Sequence, residues 1–201
     1  MNRVLVLYPE LFTCQSKFDR KASNIVSRME CFDILWLNDE NQFIKNLFNE
    51  DSRVVDRIQL VTLENQNITH AVVFDDGEEF QKELEWLAIQ EIPTRIINTL
   101  ITRVINIKKD DKYKNLKSTS TYEYIGRGSY WGNPYSMYDE GEDRDEVIRK
   151  YKYDFDFEKF PNKDKSLVHK LAGKRLGCFC KPEVCHGDVL ANYLNSFDDG
   201  I

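Results

Sequence analysis

The amino-acid sequence predicts an α/β fold that begins with a Rossmann-like, mostly parallel sheet with helices on both faces. Over residues 1–102, apolar runs typical of buried strands alternate with segments whose apolar residues recur at helical spacing. Strands joined by helices pair in parallel, and right-handed crossovers then place helices on both faces of the sheet. A change of composition near residue 103 predicts a second, small α/β unit over residues 103–201.

The elements of the first unit follow from short sequence patterns. RVLVLY is a β-branched apolar run, as expected for a buried strand, and the next segment carries Phe18, Ala22 and Ile25 at helical spacing. On the same grounds we expect strands at 3–8, 32–37, 70–77 and 92–98, and helices at 16–29, 42–48 and 78–90.

The carboxyl ends of these strands are the expected place for a ligand, because open α/β sheets bind ligands there. The first strand is followed by YPELFTCQS and not by GxGxxG, so a standard dinucleotide site is not expected. Asp75 stands at a predicted strand end and is a candidate ribose ligand or general base. The alternative for Asp75 is an acidic, solvated turn.

Charge and cysteine content restrict the class of protein. A net charge of −6 over 201 residues argues against a protein that coats duplex DNA, although a local basic site is compatible with it. No apolar run approaches the roughly 20 residues of a membrane span, and the N-terminus does not resemble a signal peptide. Three of the five cysteines cluster between 178 and 185. Without an export signal, this indicates a reducing cytoplasm, where clustered cysteines bind metals or react.

The second unit opens with a basic stretch. Residues 103–128 contain seven Lys or Arg residues against three acidic ones, a net charge of +4. The remaining patterns predict strands at 123–127 and 174–180 and helices at 143–154, 166–173 and 187–197.

The segment YIGRGSYWGNPY (124–135) has the composition of a nucleotide pocket. Gly126 and Gly128 leave backbone N–H groups open to a ligand, and Arg127 offers a planar fork for phosphate. Trp131 is expected to stack on a base, and Asn133 to hydrogen-bond to a base edge. The alternative is a tight Gly/Pro-rich turn with a tryptophan in the core.

The segment GCFCKPEVCHGD (177–188) combines a strand end with a helix start. Cys185 and His186 are expected at the helix N-terminus, where free N–H groups bind anions and lower the pKa of a thiol. Together with Asp188 they are the candidate catalytic residues, and a helix cap is the alternative for Asp188.

A zinc site and plain structural thiols are the other two interpretations of this segment. Zinc would use Cys178, Cys180, Cys185 and His186, since strand alternation places Cys178 and Cys180 on one face. The spacing lacks paired CxxC knuckles, so a metal is not favoured. No cofactor is firmly implied, and zinc is the one that these residues suggest.

Three motifs follow one another in the second half: YIGRGSYWGNPY, DRDEVIRKY and LAGKRLGCFCKPEVCHGDVLA. Together they resemble domain of unknown function 4326, which is often met in phage genomes, over about residues 103–195. In the first half, THAVVFDDG and IPTRIIN resemble Rossmann-like proteins that bind or cleave nucleotides, such as the nucleoside deoxyribosyltransferase and lysine-decarboxylase-like groups. The phosphate loop of those groups is missing here. The resemblance implies a phage-type protein of the host cytoplasm with a degenerate nucleotide-binding first half.

The leading functional hypothesis is an enzyme or sensor that acts on a nucleotide or a modified base. If it is an enzyme, glycosidic or phosphate transfer or hydrolysis is the expected reaction. A second hypothesis is a non-catalytic phage protein that binds and inhibits a host protein through the acidic, aromatic run YKYDFDFEKF (151–160). A third is a binder of single-stranded nucleic acid that uses the basic stretch 103–128 with Tyr113, Tyr122, Tyr124 and Trp131.

Overall fold

The computed structural model describes residues 1–108, 110–113, 115–137, 141 and 143–200. These residues form two compact units. Met1–Thr99 and the described residues from Ser196 onward make up the first unit, and Leu100–Asn195 make up the second.

The division of the chain differs from the expected one at both ends of the second unit. The sequence placed the boundary between residues 102 and 103 and assigned the whole C-terminus to the second unit. The C-terminal residues belong instead to the first unit, because Asp198 pairs with Arg20 and Asp199 pairs with Lys17 of its first helix.

The first unit is the Rossmann-like, mostly parallel sheet that the sequence predicts. Its strands are β1 (Asn2–Leu7), β2 (Phe32–Trp36), β3 (Val54–Gln59), β4 (His70–Asp75) and β5 (Thr94–Asn98). Its helices are α1 (Gln15–Val26), α2 (Phe43–Phe48) and α3 (Gln81–Ile89). The strand order is β3-β2-β1-β4-β5, and each neighbouring pair is parallel. The predicted fold class is therefore confirmed.

Helices cover both faces of this sheet. On one face, Phe18 of α1 stacks on Phe74 of β4 with ring centroids 5.1 Å apart. On the other face, Leu5 and Leu7 of β1 form a hydrophobic cluster with Leu87 of α3. Successive residues of a strand point to opposite faces of the sheet. Because helices cover both faces, apolar side chains at nearly every position of the central strands are buried.

β3 is a strand that the sequence patterns did not reveal. It lies at the edge of the sheet, and after the buried Val54 its residues Val55, Asp56 and Arg57 are exposed. An edge strand with one pairing neighbour and exposed side chains needs no apolar periodicity.

The second unit is a smaller parallel α/β layer. Its strands are β6 (Arg103–Asn106), β7 (Tyr122–Tyr124) and β8 (Arg175–Cys178), and its helices are α4 (Arg144–Asp156) and α5 (His186–Asn195). The segments Asp111–Tyr113 and Lys165–Leu171 are short 3-10 helices. The strand order is β6-β8-β7, with both pairs parallel, so β8 lies in the centre.

The core of the second unit contains side chains from β8, both helices and the loop before α4. It includes Ile125, Trp131, Tyr151, Phe155, Leu176 and Leu190. β8 ends at Cys178, two residues before the predicted end, and a turn leads from there into α5. The carboxyl end of the central strand therefore meets the N-terminus of a helix, which is where a parallel sheet offers a binding site.

None of the helices in the described part of the chain has the length and apolar character that a membrane crossing requires.

Candidate functional site

The candidate site is a cavity of about 200 Å³ in the second unit, where β8 ends and α5 begins. Cys178, Cys180 and Cys185 line it together with His186. The rest of the lining combines polar groups with mostly apolar side chains: Gly126, Arg127, Asn133, Tyr135, Met137, Arg144, Val147, Ile148, Phe179 and Val184.

The three cysteines form a cluster. Their sulfur atoms lie within 4.8 Å of one another, and the Sγ atoms of Cys178 and Cys180 are 3.4 Å apart. Cys178 comes from the end of β8, Cys180 from the turn, and Cys185 from the position just before α5. Cys178 and Cys185 are buried and Cys180 is partly exposed, and all three are free thiols. The fold thus brings together three of the four residues that the zinc interpretation named.

The thiols perturb one another's protonation. The pKa of Cys178 is lowered because the Cys185 thiol and the backbone N–H of Cys180 hydrogen-bond to its sulfur. The pKa of Cys185 is raised, first by its hydrogen bond to Cys178 and then by burial. Burial and the neighbouring Cys178 also raise the pKa of Cys180. The sequence placed the low-pKa thiol at Cys185, whereas burial and the hydrogen bond to Cys178 favour the thiolate at Cys178.

His186 has a structural hydrogen bond. Its Nε2 lies 2.8 Å from the carbonyl oxygen of Ile125, and since a carbonyl only accepts, Nε2 carries the proton. The ring packs edge-on against Tyr151 at 5.0 Å, and burial lowers the pKa of His186. Among the described residues, the group of mutually close metal-ligating atoms contains the three cysteines and excludes His186. The prediction of His186 as a fourth zinc ligand is therefore wrong.

Asp188 caps the start of α5. Its Oδ2 accepts a hydrogen bond from the backbone N–H of Cys185 at 2.8 Å, and its Oδ1 lies 2.6 Å from the Lys181 ammonium. This is one half of a capping box, in which an acid three residues into the helix bonds back to the cap position. Asp188 is not among the residues that line the cavity. The cap, which the sequence offered as the alternative to a catalytic role, is what the geometry shows.

The glycine-rich segment contributes only part of what was expected of it. Gly126 and Arg127 line the cavity. Gly128 adopts a left-handed conformation, with φ +83°, and serves the turn without lining the cavity. The amide of Asn133 is engaged with the backbone, because Oδ1 accepts from the N–H of Tyr135 and Nδ2 donates to the carbonyl of Val147. Asn133 therefore lines the cavity with an amide whose oxygen and nitrogen each already make one hydrogen bond to the backbone.

Trp131 does not stack on a ligand. Its side chain is 4% exposed within the core of the second unit, and its carbonyl oxygen accepts a hydrogen bond from the Tyr151 hydroxyl at 2.9 Å. The alternative expectation from the sequence, a tryptophan in the core, is therefore correct. Its indole was the largest apolar group of the segment, and burying it stabilises the fold.

Arg144 is a site residue that the sequence patterns missed. It lies in the first turn of α4, lines the cavity, and its guanidinium hydrogen-bonds to the Cys180 sulfur and to the carbonyl of Val184. A cation in the first turn of a helix is unfavourable for the helix dipole. That unusual placement was the signal in the sequence that could have identified it.

Asp75 belongs to a turn of the first unit. Its Oδ1 accepts from the backbone N–H of Gly77 at 2.9 Å, and Asp76 accepts in the same way from the N–H groups of Glu78 and Glu79. Such bonds are typical of turn-forming aspartates, and the solvated acidic turn is the correct interpretation.

The carboxyl edge of the first sheet is occupied by the chain's own acidic groups. Asp39 accepts hydrogen bonds from the Tyr8 hydroxyl and from the backbone N–H groups of Ile44 and Lys45 at the start of α2. This carboxylate fills the helix N-terminus that would hold a phosphate in a nucleotide-binding sheet. The adjacent cavity is lined in part by four glutamates: Glu10, Glu40, Glu79 and Glu83.

The described structure defines an α/β protein with a Rossmann-like first unit and a small second unit that carries a thiol- and arginine-lined cavity. The chain belongs to the family of the minimal SLOG domain, which matches residues 1–105, and it carries domain of unknown function 4326 over residues 105–196. The resemblance inferred for residues 103–195 is therefore confirmed.

A relative comes from Enterobacteria phage T4, where it is described as an uncharacterized 12.4 kDa protein in the nrdA-td intergenic region. It is 38% identical to this chain over 96 residues, which are 47% of this chain and 79% of the relative. No solved structure matches the chain.

Proposed function

We propose that the protein is a nucleotide-directed enzyme or sensor whose ligand binds in the cavity of the second unit. The observation that carries this proposal is the convergence of Arg127 and Arg144 on one apolar cavity at the carboxyl edge of a parallel sheet. A nucleotide has the two kinds of surface that such a cavity complements, a charged phosphate and a flat, largely apolar base.

The arginines are suited to an anion. A guanidinium presents its donors in a planar fork that matches a phosphate or carboxylate in two hydrogen bonds. Arg127 is exposed at the mouth of the cavity, and no ion pair occupies it within the described ranges. Arg144 reaches the same cavity from the start of α4.

The rest of the cavity is suited to a base. Val147 and Ile148 form an apolar wall, and Phe179 is 53% exposed beside it. The ring of Phe179 meets Tyr124 edge-on at 6.1 Å, which leaves an aromatic surface open to stacking. A volume of about 200 Å³ lies below the roughly 300 Å³ of a typical drug-sized site. We therefore expect a mononucleotide or nucleoside and not a dinucleotide.

Isothermal titration calorimetry with nucleoside mono- and diphosphates, with nucleosides and with inorganic phosphate tests this proposal. A charge-assisted hydrogen bond contributes about 1.5–3 kcal/mol, so Arg127→Ala and Arg144→Ala should each weaken nucleotide binding by roughly 10- to 150-fold. Arg149→Ala is the matched control, because Arg149 lies on the same helix, pairs with Glu146 and does not line the cavity. Wild-type affinity in both cavity variants would exclude the cavity as the nucleotide site.

The two alternative hypotheses lose part of their basis. The acidic run that was expected to bind a host protein is largely helix α4, and its residues Tyr151 and Phe155 are buried in the core. Of the aromatic residues expected to stack on single-stranded nucleic acid, Tyr122 and Trp131 are 2% and 4% exposed. The exposed members of each set, such as Tyr153 and Phe157 of the acidic run, are the part of these surfaces that remains available.

A further inference from the structure

We propose that Cys178, Cys180 and Cys185 together bind one thiophilic divalent ion, with Zn²⁺ as the natural choice, and that a remaining coordination position of this ion faces the cavity. This site goes beyond the nucleotide-directed function, and it would hold its metal whether or not a nucleotide is bound.

The spacing of the sulfurs fits a tetrahedral ion. Zinc binds thiolate at about 2.3 Å, which places sulfurs of one tetrahedron roughly 3.8 Å apart. The Sγ atoms of Cys178 and Cys180 are 3.4 Å apart, and those of all three cysteines lie within 4.8 Å of one another. Small side-chain adjustments therefore suffice to coordinate one ion.

The surroundings compensate the charge of such a site. Three thiolates around a divalent ion have a net charge of −1. The Arg144 guanidinium hydrogen-bonds to the Cys180 sulfur. The backbone N–H of Cys180 hydrogen-bonds to the Cys178 sulfur, and the backbone N–H of Gly187 hydrogen-bonds to the Cys185 sulfur. Donors of this kind orient metal ligands and tune the bound metal.

The backbone that carries the ligands is held in place by its own contacts. Cys178 ends the central strand of the sheet, and Asp188 accepts from the backbone N–H of Cys185 and pairs with Lys181 in the turn. The carbonyl of Lys181 accepts in turn from the Asn106 side chain. The three sulfurs are thus positioned by a strand, a capped helix and a tethered turn, which reduces the ordering cost of metal binding.

The protein supplies three ligands and leaves a position for another molecule. Among the described residues, none besides the three cysteines contributes a metal-ligating atom to the cluster, and His186 uses Nε2 for the Ile125 carbonyl. Three protein ligands with an open position are typical of catalytic zinc sites, whereas structural sites are closed by four. All three cysteines line the cavity, so the open position is accessible to its occupant.

Metal binding by the full-length chain tests the proposal directly. The protein is purified without chelator in the presence of a phosphine reductant, and its thiols are counted so that all are known to be reduced. We expect one Zn²⁺ per chain. Replacement by Co²⁺ should give a 1:1 endpoint with a thiolate-to-cobalt charge-transfer band. A fully reduced, folded protein that shows no such band would overturn the proposal.

Two serine variants assign the ligands. Cys180 is the least buried of the three, so Cys180→Ser is the variant best tolerated by the fold, and far-ultraviolet circular dichroism checks that it is folded. We expect it to weaken Co²⁺ and Zn²⁺ binding by about 100-fold, since one of the protein ligands is lost. Cys31→Ser, at an exposed cysteine outside the cluster, should bind as the wild type does. Equal affinity of Cys180→Ser and wild type would contradict the assignment.

The open coordination position of the metal can be tested on its own, and each of the two proposals has a result that contradicts it alone. Azide added to the Co²⁺ protein should shift its d–d absorption, and an unchanged spectrum would mean that the coordination sphere is closed. Arg127→Ala should lose nucleotide affinity and keep the Co²⁺ spectrum. A protein that binds nucleotide but no metal would overturn only this inference. A protein that binds metal but no nucleotide would overturn only the proposed function.

Discussion

The two parallel sheets of this protein present different chemistry at their carboxyl edges. In the first unit, Asp39 occupies the start of α2 and the nearby cavity is lined by glutamates. In the second unit, thiols and two arginines surround a mostly apolar cavity. We therefore expect an anion to be repelled at the first edge and attracted at the second. The same architecture thus offers a binding site only where the side chains at the edge leave room and charge for a ligand.

The first unit therefore serves as a scaffold in the nucleotide-directed function that we propose. The Rossmann-like fold by itself does not identify the site, because function depends on the groups placed on the fold. The loop after β1 contains Phe12, which is 3% exposed and stacks on Phe74 at 5.3 Å. A loop that packs into the core in this way cannot wrap a phosphate as a glycine-rich loop does.

The largest effect is expected from the core of the second unit. Phe155 is 1% exposed, so Phe155→Ala should destabilise this unit by about 3–5 kcal/mol through lost burial and a residual cavity. Hydrogen–deuterium exchange should show lost protection in β8 and α5 and unchanged protection in β1 and β4.

Phe157→Ala is the matched control for this variant. Phe157 follows α4 and is 62% exposed, so its removal should change stability by less than about 0.5 kcal/mol. Equal effects of the two substitutions would contradict the division of this run into a core face and a surface face.

An intermediate effect is expected at the edge of the first sheet. Asp39→Ala removes the acceptor of three hydrogen bonds and leaves the N-terminus of α2 without a cap, so it should cost about 2 kcal/mol. Urea unfolding followed by circular dichroism measures this loss. Glu40→Ala, at the exposed neighbouring acid, should be nearly neutral. An Asp39→Ala protein with the same free energy of unfolding as the wild type would mean that Asp39 does not stabilise this edge of the sheet.

The smallest effect is a dependence on alkaline pH, to which Tyr8 of the first unit and Tyr151 of the second unit contribute. Burial also raises the pKa of Tyr122 in the second unit. Burial raises the pKa of Tyr8, aided by its hydrogen bond to Asp39, and burial also raises the pKa of Tyr151. Above pH 10 the unfolded chain releases these protons while the folded chain retains them. The unfolded state then binds fewer protons, so stability falls as pH rises, by about 1.4 kcal/mol per pH unit for each tyrosine.

Phenylalanine variants separate these two contributions. Tyr8→Phe should remove the alkaline slope of the first unit, when unfolding free energies are compared between pH 9 and 11. Tyr151→Phe should reduce the slope of the second unit, where part of it remains because Tyr122, Cys180 and Cys185 also have raised pKa values. Tyr153→Phe, at a tyrosine that is 54% exposed, should leave both slopes in place. A slope unchanged in Tyr8→Phe would show that this hydroxyl already ionises in the folded protein.

Local sequence patterns were sufficient for most of the fold. The buried strands β1, β2 and β4 were predictable because both faces of a parallel sheet are covered, and this demands continuous apolar runs such as RVLVLY. Helices α1 and α4 were predictable from their apolar spacing. β3 was not, because an edge strand with largely exposed side chains carries no periodic signal. β6 was not either, because its four residues are too few to show a period.

The sequence by itself also indicated where the candidate site lies, since the clustered cysteines and Arg127 stand in the two motifs that line the cavity. The tertiary structure decided which side chains take part. It turned Trp131 and His186 inward, used Asp188 as a cap, and brought Arg144 from a distant helix into the cavity. Burial of large apolar groups and satisfaction of buried polar groups depend on what packs around them, and local spacing carries no record of those neighbours.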